Sequence, residues 1–295
     1  MVRIARQGAA LGSPLTTERV PAQLYLVAAA IFHYLGPSFA VLLFTRVAIG
    51  GVVWLRIASA ALVFAVWRRP WRAFAATPVR TRWLIAWLGA VIAAMNYSFY
   101  FAIDVLPLGT VAAIEFIGPI ALAALGVRSL RNVAAFGLVV TGVYVITDLR
   151  LAGEPVAFAW AFANAALFTA YILIAHRISR SDPTTRPIDR LGSSMLIAAV
   201  AITPLGIWEA VPAFTDPALV GAGIAVGVTS SVIPYALDQM AMARILRSTY
   251  ALFVALLPAT AVVIGAIVLH QFPTLTEAVA VGFVICGVLA HEELT

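Results

Sequence analysis

Ten long apolar runs, each closed by arginine, proline or an acidic residue, recur along this chain from about residue 21 onward. They span 21–43, 50–67, 83–103, 107–126, 132–148, 155–175, 191–208, 218–238, 250–270 and 275–290. About 20 apolar residues suffice for an α-helix to cross a bilayer. Inside lipid no water pairs the backbone amides, so a spanning segment is either a helix or part of a closed barrel. Barrel strands alternate in polarity and these runs do not, so all ten are expected to be helices. Composition agrees: 63% of residues are hydrophobic and 11% charged, against roughly 45–50% and 25% in soluble domains. Most of the chain therefore sits in lipid.

The charged residues carry further information. All 19 basic residues are arginine. The absence of lysine excludes a lysine Schiff base and the Walker A motif, whose lysine reaches the nucleotide phosphates. A P-loop cannot power this chain. The single Cys286 leaves no internal disulfide, and four scattered histidines match no zinc spacing. No metal or cofactor is expected. With the N-terminus inside, sixteen arginines fall on the cytoplasmic side, only Arg46 and Arg150 outside, and Arg56 within the second run. Arginine in short loops favours the cytoplasm, so both termini are expected there. That asymmetry also accounts for the basic pI without nucleic acid. The first twenty residues read as a basic tail. The run behind them exceeds the ~7–15 apolar residues of a signal-peptide core.

Two halves resemble each other. Gly137-Leu138-Val139-Val140-Thr141-Gly142-Val143 matches Gly282-Phe283-Val284-Ile285-Cys286-Gly287-Val288 at an offset of 145. At an offset of 139, Ala102, Thr110, Ala112, Pro119 and Gly126 match Ala241, Thr249, Ala251, Pro258 and Gly265. Together the matches divide the chain into repeats over 21–148 and 155–290. Each repeat holds five runs, and an odd number gives the two halves opposite orientation. Inverted repeats with a site at their interface are a recurring plan for secondary transporters.

Charged groups near the bilayer centre are costly and usually face a cavity or a partner. Glu115 lies near the middle of the fourth run, four residues before Pro119. Proline has no N–H, so the Glu115 carbonyl loses its helical donor. Carboxylate and bare carbonyl are both acceptors, suited to an ammonium group or a proton. The alternative is a neutral glutamic acid bonded to a neighbouring helix. Asn96, Tyr100 and Asp104 share one helix face at i, i+4 and i+8; Asn96 and Tyr100 offer hydrogen bonds to a polar ligand or to another helix, and Asp104 lies near the outer end. Ser231, Tyr235 and Asp238 form a similar face, and Pro234 frees the carbonyl of Ser230. Arg56 either snorkels to an interface or binds a substrate carboxylate. His33 and Tyr34 precede Gly36-Pro37 at an expected helix break; His33 is either a proton relay or a structural donor. His176 reads as a surface residue.

Ala94-Met95-Asn96-Tyr97-Ser98-Phe99-Tyr100, Leu106-Pro107-Leu108-Gly109-Thr110 and Ile114-Glu115-Phe116-Ile117-Gly118-Pro119 resemble the drug/metabolite transporter superfamily, in its EamA-type branch that includes threonine/homoserine exporters. Leu55-Arg56, Ala170-Tyr171-Ile172-Leu173 and the segment from Ser231 to Asp238 match it too. The resemblance covers roughly 21–290. It implies an all-α membrane protein of ten transmembrane helices in two inverted five-helix repeats around a central cavity. It also implies secondary export of amino acids or related metabolites, by alternating access and against protons. Carried over residue by residue, it names Asn96, Tyr97, Tyr100, Glu115, Tyr235 and Asp238 as cavity groups. Three positions depart from the exporter pattern. Val41 stands where that branch has lysine, Leu257 where it has glutamate, and His270-Gln271 end a motif that it writes Gly-Glu.

The sequence thus predicts an inner-membrane transporter, not an enzyme, whose partners are a small-molecule substrate, the lipid bilayer and a coupling proton. A second copy of the chain is a candidate partner. The expected substrate site is Asn96, Tyr97, Tyr100, Glu115, Tyr235, Asp238 and Arg56, with Glu115 and His33 coupling protons. The rivals are an intramembrane enzyme and a non-transporting scaffold. Against the first stand the absence of aspartate-rich metal clusters and of a Gly-x-Ser-x-Gly nucleophile.

Overall fold

A computed structural model describes residues 21–126, 129–150, 154–181, 185–242 and 257–290. Among them the regular elements are all helical. They are α1 (Ala22–Leu43), α2 (Ile49–Arg68), the short α3 (Pro70–Ala76), α4 (Val79–Ile103), α5 (Leu108–Glu115), α6 (Ile117–Gly126) and α7 (Leu130–Arg150). Then follow α8 (Pro155–Ser181), α9 (Pro187–Ala210), α10 (Pro217–Gly227), α11 (Ile233–Met242), α12 (Leu257–Leu269) and α13 (Leu275–Ala290). Among the described residues, six stretches are long and apolar enough to cross a membrane: Leu24–Leu43, Ile49–Arg68, Val79–Ile103, Pro155–Ile178, Pro187–Thr215 and Pro217–Leu237. Four shorter apolar stretches, Leu108–Leu122, Leu130–Val145, Leu257–Leu269 and Leu275–Ala290, accompany them.

Proline starts many of these helices. Pro70, Pro187 and Pro217 occupy first-turn positions, and Pro21, Pro78 and Pro107 stand just before a first turn. The first-turn N–H has no intrahelical partner, so proline there loses nothing and presets φ. Asp216 caps α10 by accepting from Ala218 N at 2.9 Å. Glu277 and Thr274 exchange bonds at the start of α13, a reciprocal cap. The outward surface is apolar, with Val66, Val200, Trp208 and Ile267 more than half exposed. In water this would be an aggregation surface; in lipid it is the solvent-matched face.

Inside, helices approach through glycine, as they do where lipid removes the hydrophobic drive for association. α7 and α13 run antiparallel. A Cβ on Gly142 would stand 2.5 Å from the Ala280 carbonyl, and one on Gly287 would stand 2.6 Å from that of Ala135. Both the glycines and the alanines differ by 145 in number, the offset of the sequence repeat. α2 packs on α9, α4 on α8 and α9, α1 on α11 and α12, α5 on α8 and α12, and α10 on α2.

Several sequence expectations need correction. The first run does not break at Gly36-Pro37: α1 passes through Pro37 unbroken. Proline costs such a helix one bond, and the Ser38 hydroxyl donates to the nearby Tyr34 carbonyl at 2.9 Å; packing on α11 and α12 holds the rest. The run at 107–126 is two helices, split at Phe116. The run at 218–238 carries a π-helical turn, Val228–Val232, between α10 and α11. The third run begins earlier than expected, at Val79. Residues 250–256 lie outside the described residues.

Candidate functional site

A cavity of about 350 Å³ lies among α1, α2, α4, α5, α8, α9 and α11. Much of its wall is apolar, including Leu26, Met95, Phe168 and Met195, with a few polar groups converging on it. That composition is typical of small-molecule sites.

Glu115 ends α5 and lines the cavity. The helix breaks there because Pro119 cannot donate to the Glu115 carbonyl. Gly118, one residue earlier, lets the break press against Thr169 of α8. The carboxylate accepts from Nδ2 of Asn164 at 3.3 Å. Asn164 is wholly buried on α8, and its own Oδ1 has no hydrogen-bond partner among the described residues. Sequence reasoning passed over Asn164, although it is the one amide in the otherwise apolar run 155–175.

Arg56 projects from α2 into the same cavity and is 8% exposed. It does not snorkel. Its Nε donates to Ser231 Oγ at 3.3 Å and its Nη2 to the Ser230 carbonyl at 3.3 Å. That carbonyl is the one Pro234 deprives of a helical donor, so the expectation of a free acceptor meets its donor here. The guanidinium lies 5.1 Å above the Tyr100 ring, a cation–π distance. Tyr100 is fully buried and meets Phe44 edge-on, making it a floor beneath Arg56.

His33 lines the cavity, with its ring edge-on to Tyr34 at 5.4 Å. Asn96 lines it too, its Nδ2 donating back to the Ile92 carbonyl at 2.8 Å. Tyr235 and Ser231 complete the polar wall from the α10–α11 segment. Tyr97 is set apart, packed between Phe101 and Trp160. The side chain of Asp238 lies outside the described residues. Asp104 is exposed at the end of α4. Of the departures, Leu257 lines the cavity, Val41 packs against the core, and Gln271 accepts from Leu108 N at 3.0 Å.

A guanidinium and a carboxyl group therefore line one cavity without pairing with each other. Ion pairs occur elsewhere, Arg46–Asp216 at 3.8 Å and Arg68–Asp189 at 2.8 Å among them, and these involve neither Arg56 nor Glu115. The arrangement offers a donor fork at one place and a carboxylate at another, with apolar walls between.

Residues 156–290 match the EamA-like transporter family. The threonine/homoserine exporter RhtA of Escherichia coli strain K12 is 32% identical over 275 residues, covering 91% of this chain and 90% of the exporter. The exporter of the same name from Salmonella typhimurium strain LT2 is 31% identical over 284 residues, covering 94% and 92%. A protein of known crystal structure has the same fold, with a TM-score of 0.62 at 17% identity over 91% of this chain and 95% of its own.

Proposed function

This chain belongs to the EamA-like transporter family, and from that premise we propose an inner-membrane secondary exporter of small polar metabolites, amino acids such as threonine and homoserine foremost. The observation that carries the reading is the cavity on which Glu115, Asn164 and Arg56 converge amid apolar walls. Its size suits a molecule of about amino-acid dimensions.

The two broken helices together with the eight unbroken ones give ten spans, in repeats over 21–148 and 155–290 with both termini cytoplasmic. This is supported by the packing. Exchanging each helix for its counterpart in the other half turns α4 on α8 into the α10–α11 segment on α1. It likewise turns α4 on α9 into α10 on α2, and α5 on α8 into α12 on α1. The paired glycines of α7 and α13 follow the same exchange.

Alternating access is supported by where the cavity runs. Its lining includes Tyr171 and Met195, which stand on the arginine-bearing halves of α8 and α9. On the other side Tyr100, Ile103, Leu106, Leu108 and Val111 are sealed from solvent. This fits an inward-facing state, ready to take substrate from the cytoplasm. Proton antiport needs no added device: a proton and a substrate ammonium compete for the Glu115 carboxylate, and His33 stands on the same wall as a relay.

The test is transport in proteoliposomes containing radiolabelled threonine or homoserine and no ATP. An imposed proton gradient should drive uphill movement, and an uncoupler should abolish it. Uphill movement that survives the uncoupler and requires ATP would refute the secondary-transport reading.

A further inference from the structure

Arg56 is a buried cation with no acidic partner among the described residues. A buried charge normally persists only when paired and hydrogen-bonded. Here its hydrogen-bond acceptors are a serine hydroxyl and a peptide carbonyl, both neutral and both at 3.3 Å, the long end of the hydrogen-bond range, with the neutral Tyr100 ring 5.1 Å beneath. A guanidinium has five N–H donors in a planar fork that matches a carboxylate bidentately. Among the described residues, the one acid on the cavity wall is Glu115, and it is turned to Asn164 instead.

We infer that Arg56 recognises the substrate carboxylate while Glu115 takes its ammonium, so that the cavity selects zwitterionic α-amino acids over molecules carrying either charge alone. The inference rests on the transporter reading and narrows it. Binding would also have a mechanical result. A carboxylate is a better acceptor than the Ser230 carbonyl, so its arrival loosens the tie between α2 and the π-helical turn. Those elements belong to opposite repeats, whose relative movement opens and closes the cavity. The competing account is that Arg56 only ties α2 to that turn.

The two accounts separate in a competition assay on the full-length protein in detergent or liposomes. Radiolabelled L-threonine is displaced by unlabelled L-threonine, L-threonine amide (no carboxylate) or N-acetyl-L-threonine (no ammonium). In the wild type both blocked analogues should compete at least about tenfold more weakly than threonine, equivalent to about 1.4 kcal/mol. Arg56→Gln should weaken threonine by a similar factor and bring threonine and its amide within about twofold of each other. N-acetylthreonine should remain discriminated in that variant, because Glu115 is intact. Arg56→Lys should keep part of the preference for threonine over the amide. A wild type that accepts the amide as well as threonine overturns the inference whether or not the variant folds. So does an Arg56→Gln protein that weakens threonine and amide alike, which is the pattern of a structural tie. Both leave the transporter reading standing. If threonine itself neither binds nor competes in the wild type, the amino-acid reading falls and takes this inference with it.

Discussion

Replacing Glu115 with glutamine removes one ionisable proton and almost nothing else. The amide has nearly the volume of the acid, and its Oε1 can still accept from Asn164 Nδ2, now 3.3 Å away. Glu115 is also only partly buried, at the cavity wall, so no void forms and no buried charge is orphaned. Stability should therefore change by less than about 1 kcal/mol, a shift of a few degrees in melting temperature. Function should change far more. A hydrogen bond to a charged group contributes about 1.5–3 kcal/mol, and losing it corresponds to roughly ten- to hundredfold in affinity or rate. The assay is proton-driven threonine movement in liposomes beside detergent melting curves of the same preparation. Transport should fall at least about tenfold while the melting temperature moves by no more than a few degrees, and its dependence on the proton gradient should vanish. Asn164→Ala is the companion variant. It removes the donor but keeps the carboxyl, so transport should fall by less and remain proton-dependent. The reasoning is refuted if Glu115→Gln loses melting temperature or expression while the inserted protein still transports with normal proton coupling.

Two more outcomes follow from the same geometry. A Cβ on Gly36 would sit 2.7 Å from the Ser230 backbone nitrogen and 2.8 Å from its Cα, so Gly36→Val should cost about 1–3 kcal/mol by overpacking; an unchanged melting temperature would show that α1 and the π-helical turn do not meet there. Alkaline phosphatase fused after Thr295 should be inactive, whereas fusion near Gly153 should be active, and the reverse pattern would invert the orientation read from arginine.

The helices were legible because lipid imposes one requirement on every span, and composition alone satisfies it. Glu115 was legible for the related reason that a lone acid in an apolar run is costly. The bare Ser230 carbonyl could be read from Pro234, but not that Arg56 would reach it, because that contact joins residues 174 positions apart. Asn164 was missed on the same ground: nothing in the run 155–175 says that it will face the break in the fourth span. Tyr97 follows from elementary helix geometry. It neighbours Asn96 in sequence, and adjacent helical residues point about 100° apart, so one faces the cavity while the other packs against Phe101 and Trp160. Pro37 misled in the opposite direction. Local chemistry argued for a break, and the tertiary packing of α1 against α11 and α12 overrode it.

The π-helical turn at Val228–Val232 encodes shape by residue count instead of residue kind. An α-helix that loses one residue turns everything beyond the deletion by about 100°, which normally ruins its packing. In this segment the extra residue is already absorbed as a wide turn, and the orientation of α11 relative to α10 depends on its presence. Deleting one residue there would let a regular helix close over the gap and, by removing the wide turn, withdraw the Ser230 carbonyl from Arg56. Conservative substitutions at any of the five positions leave that geometry alone. The segment should therefore tolerate changes of letter far better than changes of length, which is the reverse of what a surface loop does.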